Sequence, residues 1–393
     1  MRSEFLHFAP PMIGDEEIEE VVQTLRGGWI TTGQRAHQLE EDFRDYVGAP
    51  AALAVNSATS AMHIALAVLG IGEGDAVISS TMTFSSTITV IEHQRAQPVL
   101  VDVERDTLNL DPAKVELAIK RTPGVKAIMP VHLYGHPAEM DAIYDIAHRH
   151  GLAVIEDAAH SFPAAYRGRM IGAAPEGFDQ PNLVAFSFYA TKNLTTGEGG
   201  MLTGPQDLID SARIWSLHGM SRDAFKRYTA EGSWRYDVVL PGFKYNMPDI
   251  QAAIGLHQLK RIDAMQARRR SIVTQYDEAL GLLPELETPV TRPEVQSANH
   301  IYLLRLRLDR LSIGRDGFIE QLRQLNIGAS VHFIPIHEHS YFRKRYGLAA
   351  DQFPVAQGEF ERMLSLPLSP AHSDQDVADV IEAVTEVVER NRA

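Results

Sequence analysis

The chain has 393 residues, of which 45% are hydrophobic and 22% are charged, and its formal net charge is −14 at pH 7. These proportions are typical of a folded protein with a large core, and the acidic charge argues against nucleic acids and anionic membranes as partners. The sequence contains no cysteine, which excludes disulfides, thiolate catalysis and cysteine-ligated metals.

The first residues, Met1–Leu6, lack the apolar core of a signal peptide, and no run approaches the ~18–20 apolar residues that span a bilayer. Both patterns predict a cytoplasmic protein. Three histidines, His332, His337 and His339, lie close together in sequence, but their spacing matches no recognised metal site. No metal is therefore predicted.

The predicted elements begin with two helices, Asp15–Gly27 and Gln34–Val47, and continue as an alternation of strands and helices. Short apolar runs separated by helical patterns indicate an α/β fold with a mostly parallel sheet covered on both faces. The seven predicted strands are Ala51–Val55, Ala76–Ser79, Pro98–Val101, Lys126–Val131, Leu152–Ile155, Leu183–Phe188 and Gly200–Thr203; intervening helices include Ala58–Leu69, Asp111–Lys120 and Ala138–His150.

The pattern changes after a long polar helix, which is predicted over Asp249–Leu280. The elements that follow are typical of a smaller α+β domain. They are strand Ile301–Leu308, helix Asp316–Leu325, strand Ala329–Phe333 and a terminal helix, Asp374–Arg392. We therefore predict a large domain over residues 1–280 and a small C-terminal domain over residues 281–393.

The strongest functional signal is a lysine that follows an aromatic strand. The stretch Phe186–Asn193 contains Lys192 and leads into the glycine-rich Gly197–Gly200, while an earlier strand ends in Glu156-Asp157. Ligands of open α/β sheets bind beyond the carboxyl ends of the strands. A lysine and a carboxylate there predict pyridoxal phosphate, with Lys192 as its Schiff-base partner and Asp157 facing the pyridine nitrogen. The alternatives are a surface lysine and an aspartate that only caps a helix or forms a salt bridge.

Other residues near predicted strand ends have two interpretations each. The turn Ser57-Ala58-Thr59 opens a helix, where free N–H groups suit a phosphate, but Ser57 could be a plain N-cap. Ser187 is a second phosphate candidate or an ordinary strand serine. Phe84 could stack on the cofactor ring or pack in the core, and His160 could contact the ring or be structural.

Together these motifs resemble the DegT/StrS family of sugar aminotransferases, which are pyridoxal phosphate enzymes of fold type I. The resemblance runs from about Ala9 to the last helix. Lys192 separates this chain from the dehydratase branch of the family, in which histidine replaces the lysine. The motifs that carry the resemblance are Gly28–Gly33, Ser57–Thr59, Pro130–His132, Glu156–His160, Phe186–Lys192 and Gly242–Asn246.

The resemblance implies transamination from L-glutamate to a nucleotide-linked 4-keto sugar, with 2-oxoglutarate as by-product and pyridoxamine phosphate as the intermediate cofactor form. Lys192 and Asp157 would be catalytic. A homodimer with shared active sites is also implied, in which Asn246 reaches the cofactor phosphate of the neighbouring subunit. The implied cofactor ligands are Ser57, Ala58, Thr59, Phe84, Asp157, His160, Ser187, Lys192 and Asn246; the candidate sugar-nucleotide contacts are Trp29, Thr31, Tyr189, Lys244 and His332. Trp29 could instead pack its own loop.

Within the family, stretches such as Ala61–Leu66, Val101–Leu108 and Ser365–Leu368 resemble enzymes of UDP-4-amino-4-deoxy-L-arabinose synthesis. This implies a UDP-4-keto-pentose substrate and a role in lipopolysaccharide (lipid A) modification. Those enzymes have tryptophan at the position of Phe84 and histidine at that of Tyr189, so a UDP-, dTDP- or GDP-4-keto-6-deoxyhexose is the alternative. A pyridoxal phosphate-dependent sugar dehydratase or lyase, and a cofactor-binding regulator without turnover, are further alternatives.

Overall fold

A computed structural model describes residues 2–221 and 236–393. The helices are α1 (Asp15–Gly27), α2 (Gln34–Val47), α3 (Ala58–Val68), α4 (Ser85–His93), α5 (Pro112–Arg121), α6 (Met140–His150), α7 (Gln206–Ser216), α8 (Asp249–Lys260), α9 (Ile262–Leu280), α10 (Arg315–Gln324), α11 (Ser340–Tyr346), α12 (Pro354–Phe360) and α13 (Asp374–Arg390). The strands are β1 (Ala51–Val55), β2 (Ala76–Ser80), β3 (Gln97–Val101), β4 (Val125–Met129), β5 (Ala153–Asp157), β6 (Ala165–Tyr166), β7 (Arg169–Met170), β8 (Asn182–Ser187), β9 (Gly200–Gly204), β10 (Leu286–Glu287), β11 (Val295–Gln296), β12 (Tyr302–Leu306) and β13 (Met363–Leu366).

The central sheet contains all seven predicted strands, in the order β1-β9-β8-β5-β4-β2-β3. Strand β9 runs antiparallel to both of its neighbours, and every other pairing is parallel. The predicted α/β fold with a mostly parallel seven-stranded sheet is therefore confirmed. Because β1 and β8 both oppose β9, the carboxyl ends of β1, β8 and β5 lie at the same edge of the sheet.

Helices cover both faces of this sheet, and alternate strand residues face opposite layers. In β1, Ala52 and Ala54 belong to the core beneath α2, α6 and α8, whereas Leu53 and Val55 belong to the core beneath α3, α4 and α7. All five residues of β1 are consequently buried. A strand that is buried on both faces reads as a continuous apolar run rather than an alternating one.

The C-terminal part contains a second sheet, β10-β12-β13, which shares an apolar core with α9, α10 and α13. Two details of the sequence prediction are wrong here. Ala329–Phe333 does not form a strand, because only Ser330 pairs, through an isolated bridge to Ser365 of β13. The predicted helix Asp249–Leu280 is two helices separated at Arg261. The division at residues 280 and 281 stays a prediction.

None of the described helices combines the length and apolar composition that crossing a membrane requires.

Candidate active site

A cavity of about 480 Å³ lies at the edge where the carboxyl ends of β1, β5 and β8 meet. It contains most of the residues that the sequence analysis selected, together with side chains that it did not. The selected residues that line the cavity are Ser57, Ala58, Thr59, Phe84, Asp157, His160, Ser187, Tyr189, Lys192 and His332. The cavity therefore brings together residues from five separate stretches of the chain.

Lys192 lies on the connection between the antiparallel strands β8 and β9. Two backbone hydrogen bonds close this connection: Phe188 N donates to Gly199 O at 2.8 Å, and Thr196 N donates to Phe188 O at 2.9 Å. Burial lowers the pKa of Lys192 to about 8, and the negative charge of Asp157 opposes the shift. At neutral pH a useful fraction of the amine is therefore unprotonated and nucleophilic.

Asp157, the last residue of β5, is 4% exposed, and two hydrogen bonds fix its carboxylate. Thr87 Oγ1 donates to Oδ2 at 2.7 Å, and Ala159 N donates to Oδ1 at 3.1 Å. Burial raises the pKa of Asp157, which the hydrogen bond from Thr87 opposes. Within the described part of the chain, Lys192 is the only lysine or arginine that lines the cavity. A buried carboxylate of this kind fits a protonated pyridine nitrogen, whose charge would stabilise it.

The start of α3 provides the backbone donors that a phosphate requires. Ser57 Oγ accepts the N–H of Ser60 at 3.1 Å, so Ser57 is the N-cap of the helix, and the N–H groups of Ala58 and Thr59 have no acceptor in its backbone. Strand β9 runs directly against this turn. A Cβ on Gly200 would come within 2.6 Å of Phe186 O and 2.8 Å of Ala58 N, so only glycine allows this approach.

Three histidines form one side of the cavity. Burial and the charge of Lys192 lower the pKa of His332 to about 4, and those of His160 and His300 also lie well below the ordinary value. The ring centroid of His160 lies 4.6 Å from that of His300, and Phe8 stacks on His332 at 5.0 Å. The three rings are therefore neutral at physiological pH and contribute polar but uncharged surface.

Four selected residues do not line the cavity of their own chain: Trp29, Thr31, Lys244 and Asn246. They lie near one another beside the end of β1, where Asn246 pairs with Val55. Lys244 Nζ donates to Asn246 Oδ1 at 2.5 Å, and Trp29 Nε1 donates to Thr32 O at 3.0 Å. Their functional roles stay predictions.

Three residues of the site, His300, Phe8 and Thr87, were not predicted from the sequence. Thr87 had a usable signal, because it lies in the first turn of α4, the helix that follows β2. His300 precedes a strand of the other sheet and lies 108 residues from Lys192, so no local pattern connects them. Phe8 reaches the cavity from the N-terminal segment. In the described residues, no three His, Asp or Glu side chains are arranged so that they could hold a metal ion.

Comparison with known proteins agrees with this geometry. Residues 11–385 match the model of the DegT/DnrJ/EryC1/StrS aminotransferase family. The chain is 49% identical, over 98% of each protein, to the spore coat polysaccharide biosynthesis protein SpsC of Bacillus subtilis. It is 33% identical to the putative sugar aminotransferase Spr1654 of Streptococcus pneumoniae in its PMP form, with a TM-score of 0.91 over 98% of this chain and 99% of that one. The PLP form of the same protein gives a TM-score of 0.90. The chain therefore belongs to the DegT/DnrJ/EryC1/StrS aminotransferase family.

Proposed function

We propose that this protein transfers the amino group of L-glutamate to a nucleotide-linked 4-keto sugar, which yields a 4-amino sugar and 2-oxoglutarate. Sugar aminotransferase activity follows from family membership. What we propose beyond that activity is the amino donor, the presence of a nucleotide on the sugar and the position of its keto group. The observation that carries the proposal is that Lys192, Asp157 and the start of α3, where the N–H groups of Ala58 and Thr59 have no acceptor in the helix backbone, meet in one cavity.

The pyridoxal phosphate cofactor predicted from the sequence is confirmed, since similar solved structures of sugar aminotransferases carry it in PLP and PMP forms. In this chain Asp157 would hold the pyridine nitrogen of the cofactor, and Lys192 would bond to its aldehyde carbon. The Ser57–Thr59 turn and Ser187 would bind its phosphate. When bound, the cofactor supplies an electron sink that stabilises negative charge on the carbon that loses its proton.

Lys192 is the residue that moves the proton. Its Nζ takes the proton from Cα of glutamate in the first half of the cycle and returns a proton to C4 of the sugar in the second. Asp157 would hold the protonated pyridine nitrogen of the bound cofactor, and its negative charge would favour the electron-poor state of the ring. The neutral histidines do not compete with Lys192 for the proton in transit, because their own pKa values are lowered.

The sugar is predicted from the sequence as a UDP-4-keto-pentose, and this stays a prediction. One observation favours the second candidate, a 4-keto-6-deoxyhexose. The ring of Phe84 is 56% exposed and lies 5.6 Å from that of Phe333, so the two form an apolar surface beside the cavity. Such a surface would bind the methyl group that a 6-deoxyhexose has and a pentose lacks. The similarity to a spore coat polysaccharide biosynthesis protein supports a product destined for a polysaccharide.

A homodimer with shared active sites is also part of the proposal. Asn246, Lys244, Trp29 and Thr31 lie outside the cavity of their own chain. Three apolar residues are about half exposed: Trp29 at 46%, Ile30 at 50% and Val239 at 56%. A second copy of the chain would bury this apolar surface. We therefore propose that Asn246, Lys244, Trp29 and Thr31 contribute to the cavity of the partner subunit.

The first test is spectroscopic. Purified protein with pyridoxal phosphate should absorb near ~420 nm, and L-glutamate should bleach this band in favour of one near ~330 nm. Adding UDP-4-keto-pentose, or UDP-, dTDP- or GDP-4-keto-6-deoxyhexoses, one at a time then identifies the sugar that restores the band. Lys192→Ala should lose the cycle. A ~420 nm band that glutamate does not change would overturn the transamination proposal and favour a lyase or a regulator.

A further inference from the structure

His300 is a buried histidine whose side chain contacts Lys192, although it comes from the segment before β12. It is 6% exposed, and its Nε2 lies 3.5 Å from Lys192 Nζ. Its backbone is also fixed: His300 N donates to Tyr134 O at 3.1 Å, and a Cβ on Gly135 would come within 3.0 Å of His300 N. The backbone of His300 is therefore anchored beside the segment that contains Tyr134 and Gly135.

Asn193 determines which nitrogen of His300 carries the hydrogen. Asn193 Nδ2 donates to Ala298 O at 2.7 Å, and Asn193 Oδ1 lies 3.1 Å from His300 Nδ1. Rotating the amide by 180° would place its oxygen against the Ala298 oxygen, two acceptors without a hydrogen between them. The amide oxygen therefore faces His300, whose Nδ1 donates to it. In a neutral imidazole, Nε2 then bears the lone pair, and that lone pair faces Lys192.

We propose that His300 is a positioning residue for Lys192, because its Nε2 accepts a hydrogen bond from Nζ and Asn193 fixes the tautomer that makes this possible. The inference rests on the proposed role of Lys192 in proton transfer. An amine that donates one N–H to His300 has its lone pair directed away from the ring, toward the rest of the cavity. Because Asn193 follows Lys192 directly in the chain, one short segment supplies both the reactive amine and the group that orients its partner.

The charged and titratable side chains around Lys192 agree with this role. Burial lowers the pKa of Lys192, and the negative charge of Asp157 opposes that shift. Burial, and after it the positive charge of Lys192, lowers the pKa values of His160, His300 and His332. The charges of His160, Arg269 and His332 add to the lowering at His300. His300 is therefore neutral when it meets the amine, and it accepts a hydrogen bond without taking the proton.

The test compares His300→Gln with His300→Leu. The glutamine side chain can place an acceptor oxygen near the position of Nε2, whereas leucine has none. We expect His300→Leu to reduce kcat of the glutamate half-reaction by about 10- to 100-fold at unchanged KM, the effect of losing a hydrogen bond to a charged group. His300→Gln should recover most of that loss. His148→Gln, at a histidine whose side chain is 56% exposed, controls for histidine replacement in general.

A second measurement uses the protein without cofactor. The pH dependence with which fluorodinitrobenzene labels Lys192 reports the pKa of its amine. We expect a pKa of about 8 in the wild type and His300→Gln. His300→Leu should show a pKa about one unit lower, because the ammonium form loses an acceptor. In the His300→Leu background, Asn193→Leu should have little further effect on kcat, since it acts through His300.

The outcomes separate this inference from the proposed function. Wild-type kcat and an unshifted Lys192 pKa in His300→Leu would overturn the positioning role, provided that Lys192→Ala abolishes the half-reaction. Equal defects in His300→Gln and His300→Leu would also overturn it, because they would show that only the shape of the ring matters. If Lys192→Ala kept the half-reaction, the proposed function would fail first.

Discussion

The lowered pKa of Lys192 predicts how fast the cofactor-free protein captures pyridoxal phosphate at different pH values. Only the neutral amine attacks an aldehyde. Burial brings the pKa of Lys192 from an ordinary value of 10.5 to about 8. At pH 7 about one molecule in ten would then carry a neutral amine, roughly 300 times the fraction for an unperturbed lysine. The capture rate should rise about tenfold per pH unit below pH 8 and level off above it.

Stopped-flow mixing of the cofactor-free protein with excess pyridoxal phosphate measures this rate through the growth of absorbance near ~420 nm. The same reaction with Nα-acetyl-lysine amide provides the control, because its rate, once corrected for the neutral fraction of its own amine, gives the pH dependence that comes from the ionisations of the cofactor. Lys192→Ala should show no fast phase. A capture rate that keeps rising between pH 8 and pH 10 would refute the argument, since it would assign Lys192 an ordinary pKa despite its burial.

Three further predictions concern the cofactor site and the dimer. Gly200→Ala should weaken the affinity for pyridoxal phosphate at least about tenfold in a fluorescence titration, because the added Cβ would lie 2.6 Å from Phe186 O. Gly358→Ala is the control, because a Cβ at that position would have open space around it. Equal affinities of the two variants would contradict the crowding argument. Asp157→Asn should slow the glutamate half-reaction by about 100-fold or more in single-turnover absorbance measurements, and an unchanged rate would exclude an electrostatic role. Lys192→Ala and Asn246→Ala should each be inactive, and mixing them after dissociation should restore about a quarter of wild-type activity, since half of the dimers would have one intact site. Failure to restore activity would contradict shared sites.

The sequence was sufficient for the central sheet because its strands are continuous apolar runs bounded by helices. It was also sufficient to place Asp157, Ser57 and Lys192 together, since each lies at or beyond the end of a strand whose carboxyl end is at the same edge of the sheet. The false strand Ala329–Phe333 has strand-like composition, but its residues beyond Ser330 pair with no neighbouring strand. Phe333 instead lines the cavity, so its hydrophobicity reflects the site and not a sheet.

Residues whose role depends on distant packing could not be predicted. His300 acquires its contact with Lys192 only when the segment before β12 lies against the β8–β9 connection. Strand β13 was missed for a similar reason: its four residues are too few to be distinguished from a buried loop, and pairing with β12 identifies them. The break at Arg261 lies between two segments that are each helical, so composition alone joins them.

The order of strands in the central sheet determines when the cofactor site can form as the chain is synthesised. Strand β1 is made first, but it lies at the sheet edge, and the strand that it pairs with in the described residues is β9, about 150 residues later. The turn that follows β1 therefore has no sheet to support it until Gly200–Gly204 has left the ribosome. Strand β9 joins β1 to the rest of the sheet, because it pairs with β1 on one side and with β8 on the other. The Ser57–Thr59 turn, although encoded early, therefore gains the support of the sheet only after β9 has been made.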